Sequence, residues 1–364
     1  MKIGIDARFY NESGVGRYLR NLISNLKVLD KDNQYYIFLL PKDLDQFIES
    51  SNFQKVCADF KWYGFAEQFI MPKFFKKYNL DLVHIPHFNV PIFYSGKFVV
   101  TIHDLIHQHH AMRRATTLDP VTFRVKQLGY RRVFKSAVTK AQKILVPSKF
   151  VAKLLMEEWN INHDKIEVTP EAADDIFFRS KKNDKLPKEI TPPFIFYVGN
   201  AHPHKNVEGL IKAYLKLKNI NSKLKLVLSG YDHYFWHRLK EEFKFPGIIY
   251  TGSVTDEELV TLYKNALSFV MPSFEEGFGI PILEAMAVGC PVVSSNAESL
   301  KEVGGDSAIY FDPANIEDMA NKIMYVQNNA SVRKQLIEKG KKRVKEFSWK
   351  KLAEQTLEVY RQCV

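Results

Sequence analysis

The sequence predicts an α/β protein made of two doubly wound domains with parallel sheets. Three observations predict it. The chain opens with an apolar strand, a loop and an amphipathic helix between Lys2 and Leu29, and the same order restarts at Phe194 as FIFYVGN, AHPHKN and VEGLIKAYLKL. Between the two starts, residues 171–193 are polar and proline-bearing with no apolar period, which is how a linker reads. Late in the second half, residues 267–295 spell strand, loop, short helix, strand, the repeating unit of a parallel sheet. The expected organisation is a first domain over 1–170, a linker over 171–193, a second domain over 194–346 and a last helix over 347–364. A chain of 364 residues supplies a full core for each domain.

Lys2–Asp6 is the first strand, and the loop from Ala7 to Val15 leads into Ser13-Gly14-Val15-Gly16-Arg17. Tyr18, Leu19, Leu22, Ile23, Leu26 and Leu29 then recur at three and four residues, one face of a helix. Gln34–Leu40, Leu82–Ile85, Phe98–Ile102 and Lys143–Pro147 are apolar runs of strand length, Ser148 can cap the helix that follows, and Ile166–Thr169 closes the first sheet. His103-Asp104 comes directly after the fourth strand of this reading, at its carboxyl end, where open α/β sheets meet their ligands. A histidine there can hydrogen-bond a hydroxyl, polarise a developing charge or fill a polar gap. His107, His109 and His110 follow in a segment that reads as a flexible loop, and without a carboxylate or cysteine at ligand spacing no metal site is expected.

In the second half Lys205 stands just before a helix, placed to meet an anion at its N-terminus, and Asn206 can cap that helix. Leu224–Leu228, Ile248–Thr251 and the helix Asp256–Asn265 continue the alternation to Leu267–Met271 and Pro291–Ser294, two short buried strands. Between these, Pro281 suits the first turn of a helix and Gly289 the left-handed residue past its end. Gly277 and Gly279 let the loop backbone approach a bulky partner, and the helix start favours an anion. Two carboxylates, Glu276 and Glu284, flank that position eight residues apart. A carboxylate facing phosphate repels it, whereas one facing a diol accepts two charge-assisted hydrogen bonds. The pattern therefore reads as a grip on a ligand with phosphate in the middle and hydroxyl-bearing sugars at both ends, a nucleotide sugar.

Glu276-Gly277-Phe278-Gly279 followed by Glu284 resembles the Glu-x7-Glu signature of retaining GT-B glycosyltransferases, most closely family four; SGVGRY, the histidine after the fourth strand and PHKN add to the likeness in chain order. The resemblance implies two Rossmann-like domains facing across a cleft, with the terminal helix crossing back onto the first. It implies that Glu276 contacts hydroxyls of the donor sugar and Glu284 the ribose, that the amides of Gly277, Phe278 and Gly279 hold the diphosphate, and that Val254 touches the base. Gly14 and Gly16 would lie over the donor phosphates and near the acceptor, with Arg17 and His103 on the acceptor side and His103 also contacting the donor sugar. His103, Glu276 and Lys205 are the expected catalytic residues. Lys205 matches the family lysine that neutralises the leaving diphosphate, but Asn200 stands where the family often has an arginine, so either His202, His204 or an arginine from elsewhere compensates, or the donor is held differently. No metal-binding Asp-x-Asp is recognised, and the expected reaction uses neither metal nor cofactor. The donor is a GDP- or UDP-linked sugar, with mannose favoured by likeness to bacterial polysaccharide mannosyltransferases, and the acceptor a hydroxyl of a glycan or lipid-linked saccharide.

The net charge of +11 is compatible with nucleotide phosphates, an anionic membrane or nucleic acid; the resemblance leaves no role for nucleic acid. Lys61–Tyr78 interleaves aromatic residues with lysines, and Arg113–Lys153 is rich in Arg and Lys; the aromatic residues from Phe65 to Phe75 read first as a core-facing stripe with a solvated rim, and the alternative the charge bias leaves open is peripheral contact with an anionic membrane, on its cytoplasmic face. Three cysteines without CxxC spacing, and no run long enough to span a bilayer, fit a cytoplasmic protein. Two rivals stay open here: a GT-B epimerase or phosphorylase, and a non-enzymatic polyanion- or membrane-surface-binding protein.

Overall fold

The computed structural model describes residues 1–110, 120–179, 186–231 and 233–364. The chain divides into two units: Met1–Leu105 with Thr116–Glu171 and Ser348–Val364, and Ile106–Ala115 with Ala172–Phe347.

The first unit is a seven-stranded sheet of β1 (Lys2–Asp6), β2 (Gln34–Leu39), β3 (Phe53–Cys57), β4 (Leu82–Ile85), β5 (Phe98–Thr101), β6 (Lys143–Val146) and β7 (Ile166–Val168). All pairs are parallel, in the order β3-β2-β1-β4-β5-β6-β7. Helices cover both faces, so the central strands are apolar throughout rather than alternating: Ile3, Ile5, Val83, Ile85, Val99 and Val100 are all buried. The strand β3 is absent from the sequence reading. It is an edge strand, FQKVC, buried only at Phe53 and Val56, and its polar positions hide it among loop residues. His103 consequently follows the fifth strand of the sheet, not the fourth.

The second unit repeats the plan with β8 (Phe194–Val198), β9 (Lys225–Ser229), β10 (Ile248–Gly252), β11 (Ser268–Met271), β12 (Val292–Ser295) and β13 (Ala308–Phe311), again all parallel, in the order β10-β9-β8-β11-β12-β13. In each sheet the strand order reverses once, between β1 and β4 and between β8 and β11. The chain leaves such a reversal in opposite directions on the two sides, opening a crevice at the carboxyl ends of those strands.

Two segments depart from the sequence reading. Ala173, Phe177 and Ile190, inside the stretch read as linker, are buried in the second unit's core, because their isolated apolar side chains find a groove that no periodicity announces. Residues 180–185 of that stretch, and 113–119 of the basic stretch, lie outside the described residues. Ile106–His109, read as loop, is a short helix counted with the second unit. The terminal helix, Trp349–Cys363, is capped by Ser348 Oγ, which accepts from the Lys351 N–H at 3.4 Å, and it packs on the helix Ser13–Leu29 of the first unit. Its Tyr360 hydroxyl hydrogen-bonds His84 Nδ1 of β4 at 2.6 Å.

Candidate active site

In the second unit the loops after β8 and β11 meet at the strand-order reversal. Lys205 closes a one-turn 3-10 helix, Pro203–Lys205, and Asn206 follows with φ +54°. Its amide nitrogen reaches across to the carbonyls of Pro272 and Pro313 at 3.1 and 2.9 Å, tying the first loop to the start of the second. The Phe274 N–H donates to His204 O at 2.8 Å. So held, Lys205 Nζ lies 2.7 and 2.6 Å from the two carboxylate oxygens of Glu276. Ser273 Oγ donates to the same carboxylate at 2.6 Å, and Ser299 Oγ to the Glu276 carbonyl at 2.6 Å. The carboxylate is 8 % exposed and the lysine 17 %, so this is an oriented ion pair beneath the surface.

The helix Ile280–Val288 starts where its sequence demands. Gly279 at φ +115° is its N-cap, Pro281 sits in the first turn, and Gly289 ends it at φ +86°. A Cβ on Gly279 would stand 2.6 Å from Leu300 Cδ2, and its φ of +115° is one that side chains rarely adopt, so glycine fits this turn best. Glu284, in the second turn, is 4 % exposed and accepts from the Tyr263 hydroxyl at 3.1 Å. Phe278 is buried with its ring edge-on to Phe347, which anchors the loop. Val254 packs half-buried on the second core just after Gly252 at φ +73°. Asn200 serves its own loop: its Oδ1 accepts from the His202 N–H at 3.2 Å and its carbonyl from the Tyr197 hydroxyl at 2.6 Å.

Around the same loop the structure gathers histidines that the sequence scatters. The rings of His202 and His204 lie 5.9 Å apart, His202 is 5.3 Å from His233, and His110 is 5.8 Å from His204. Burial, with the neighbouring His233, Lys205 and His107, pushes His202 down to about 4; burial, with Lys205, His202, His110 and His107, pushes His204 down to about 2. Both are neutral at pH 7. His109 Nδ1 and His110 Nε2 meet Glu275 at 2.7 and 3.1 Å. Among the described residues no group of three or more His, Cys, Asp or Glu is placed to hold a metal ion.

The first unit carries the other expected residues. Gly14 and Gly16 lie within the first turns of the helix Ser13–Leu29, not in the loop before it. The Gly16 N–H donates to Glu12 O at 2.8 Å and so is engaged inside the helix, while a Cβ there would stand 2.6 Å from Tyr10 O; this glycine is required for packing. Around Gly14 a Cβ would meet nothing within 4 Å. Arg17, one turn in, is half-buried. His103 has both ring nitrogens engaged, Nδ1 with Glu171 at 3.0 Å and Nε2 with the Pro86 carbonyl at 3.1 Å. Burial alone would depress its pKa, but the Glu171 carboxylate outweighs burial and raises it, favouring the protonated ring.

Two buried groups in this unit escaped the sequence reading. Arg8, fully buried, donates to Asp6 and, at 2.6 Å, to Glu67, whose other bonds come from Asn89 Nδ2 at 2.6 Å and the Tyr63 N–H at 2.9 Å. His84, Thr101, Tyr18 and Tyr360 form a buried chain of hydrogen bonds, in which burial and repulsion from His103 push His84 down to about 3. Asp6 and Arg8 two residues apart on a strand end were the available signal for the first; nothing local marks the second.

The model of the family described as Glycosyltransferase Family 4 matches residues 13–175, and that of Glycosyl transferases group 1 matches residues 178–343. Over 97 % of both chains the protein is 29 % identical to O-antigen chain mannosyltransferase B of Escherichia coli. The structure is similar to sucrose-phosphate synthase from Thermosynechococcus elongatus, with a TM-score of 0.76 at 19 % identity over 100 % of this chain and 98 % of that one. It is also similar to HepE from Anabaena in complex with UDP and glucose, with a TM-score of 0.74 at 15 % identity over 99 % of each chain.

Proposed function

The chain belongs to the family-4 glycosyltransferases of GT-B fold, and from that premise we propose that it moves a mannosyl residue from GDP-mannose, with anomeric configuration retained, to a hydroxyl of a glycan or lipid-linked acceptor in cell-surface polysaccharide synthesis. The observation that carries the reading is the Lys205–Glu276 pair, drawn from two loops 71 residues apart to the strand-order reversal, the position where such sheets bind nucleotides. The name of the Escherichia coli relative supports mannose and polysaccharide synthesis. The UDP complex of the Anabaena neighbour supports a nucleotide donor.

In this reading the second unit binds the donor and the first takes the acceptor. Glu284 accepts hydroxyls of the ribose, Val254 lines the base, and the amides of 277–279 hold the diphosphate at the start of the helix. Donor entry splits the resting ion pair: Lys205 turns to the diphosphate and Glu276, still oriented by Ser273, accepts sugar hydroxyls. Asn200 carries no charge, and His202 and His204 take over the role of the family arginine by becoming cationic against the diphosphate. The bond from the anomeric carbon to the phosphate oxygen breaks first, giving an oxocarbenium-like sugar, while Lys205 and the amides stabilise the charge left on that oxygen. The acceptor oxygen bonds to the same face of the sugar and its proton passes to the departing diphosphate. No covalent nucleophile and no metal ion are required. In the first unit, Arg17 and His103 serve the acceptor side.

Membrane contact accompanies this reading if the acceptor is lipid-linked. Phe69 and Phe93 stack 4.9 Å apart while 53 % and 61 % exposed, and exposed Lys73, Lys76 and Lys77 share the helix of Phe69. A thermal-shift panel of GDP, UDP and their sugars tests the proposal: GDP and GDP-mannose should raise the midpoint, UDP should not, and no response to any nucleotide would refute it. Incubating protein with GDP-mannose alone separates transfer from epimerisation or phosphorolysis, which would consume donor without acceptor.

A further inference from the structure

At the strand-order reversal of the first unit, the loops after β1, β3 and β4 each deliver aromatic side chains to one place. Phe9 stacks on Trp62 with ring centres 4.3 Å apart, and on His87 at 5.1 Å. Tyr63 stacks on Phe88 at 5.8 Å and lies 6.0 Å from the His87 ring. Phe9 and Phe88 are buried and form the base; Trp62 and His87 are half-buried, and Tyr63 is 57 % exposed.

The exposed ring is held there against the preference of its backbone. Tyr63 has φ +62°, and among the described residues every other non-glycine residue at positive φ is an asparagine. A tyrosine in this conformation is strained. What holds it is the buried charge group beneath: the Tyr63 N–H donates to Glu67 Oε2 at 2.9 Å, and Arg8 and Asn89 fix Glu67 Oε1 at 2.6 Å each. A fully buried arginine and carboxylate thus position one strained, outward-facing aromatic residue at the crevice of the sheet. Strain maintained by surrounding structure marks sites of ligand contact.

We propose that Trp62, Tyr63 and His87 form a stacking ledge for a neutral pyranose ring of the acceptor, a reading that rests on the glycosyltransferase function above. The C–H face of a pyranose packs on an aromatic ring, and its equatorial hydroxyls reach polar tips at the ring edges, here the Tyr63 hydroxyl and the His87 imidazole, themselves 3.4 Å apart. Glu67 and Arg8 are positioning residues: they fix the backbone of Tyr63 and are too deep to touch the sugar.

The test uses the full chain labelled with 5-fluorotryptophan, in which Trp62 is one of four signals. Methyl pyranosides of mannose, glucose, galactose, rhamnose and N-acetylglucosamine, and a mannotriose, are titrated in turn. The expected result is that at least one of them shifts the Trp62 resonance and receives saturation transfer on its ring protons. Tyr63→Gly, which tolerates the positive φ, should weaken that binding about tenfold while the thermal shift by GDP stays as in wild type, and Trp62→Ala should abolish it. The proposal is overturned if no saccharide perturbs Trp62, if binding survives unchanged in Tyr63→Gly, or if only vesicles containing phosphatidylglycerol perturb it, which would make the ledge a lipid contact. Loss of the GDP response in wild type would instead refute the donor reading, so the two failures are distinguishable.

Discussion

Removing either partner of the Lys205–Glu276 pair should have opposite effects on nucleotide binding. In Lys205→Ala the Glu276 carboxylate, 8 % exposed, keeps only the Ser273 hydroxyl of its two side-chain donors. Stranding one member of a buried pair costs about 3–5 kcal/mol, and the 17 % exposure of Lys205, which lets water replace it, brings the expectation to about 2–4 kcal/mol. Glu276→Ala should cost less, because a long amine reaches solvent more readily than a short carboxylate. The double variant should then be more stable than the sum of the single losses predicts, by about 2 kcal/mol. Urea unfolding read by 19F at Trp236, the one tryptophan of the second unit, isolates the relevant transition from that of the first. For GDP, Lys205→Ala loses a charge-assisted hydrogen bond of about 1.5–3 kcal/mol, tenfold or more in affinity. Glu276→Ala frees the lysine from its resting partner, so GDP should bind as tightly as in wild type or tighter, although turnover of GDP-mannose collapses. Additive stability losses, with coupling below about 0.5 kcal/mol, or a weakened GDP affinity in Glu276→Ala, would refute the account of a pair that opens to admit the donor.

Glu284→Ala should weaken GDP binding by roughly tenfold through the lost ribose contact, with less effect on turnover at saturation; equal kinetics to wild type in a donor-consumption assay would sink the assignment. Burial holds His202 at about 4 and His204 at about 2, and a diphosphate beside them raises both, so binding should take up protons and tighten as pH falls from 8 towards 6. Calorimetry in buffers of different ionisation enthalpy measures that uptake, and a value of zero would exclude it. His84 has a folded pKa of about 3 against an ordinary 6.5, so its contribution is complete above pH 6.5 and is lost as pH falls through that window, about 2 kcal/mol by pH 5; His84→Gln should flatten the acid limb of the first unit's stability by that amount. Gly279→Ala forces a side chain into φ +115° and to 2.6 Å from Leu300 Cδ2, and a loss of about 2 kcal/mol or more in the second unit is expected; an unchanged urea midpoint at Trp236 would contradict it.

Where the sequence constrains the backbone tightly, the structure follows it. Pro281 and Gly289 bracket the helix Ile280–Val288 because each fits few other positions, and the central strands are readable because burial on both faces leaves them apolar throughout. The edge strand Phe53–Cys57 was illegible because an edge has one covered face, and FQKVC is a loop by composition. Glu276 and Lys205 could be singled out, but their pairing could not, since it depends on how two loops fold over 71 intervening residues. Gly14 and Gly16 look like a phosphate loop in one dimension, yet the helix begins at Ser13 and occupies Gly16. His84 was passed over as one residue of a buried strand; its partners Thr101 and Tyr360 are 17 and 276 residues away.

The helix Trp349–Cys363 belongs to the first unit although the whole of the second is translated before it. On the ribosome, therefore, the amino-terminal half emerges long before it can finish: His84 and Tyr18 wait beneath a face that stays open to water until Tyr360 has left the exit tunnel. The second unit, complete once Phe347 is made because its other segment, Ile106–Ala115, comes earlier, meets no such delay. Order of synthesis and order of completion are thus reversed, and the half made first is the one exposed to chaperones and proteases for longest.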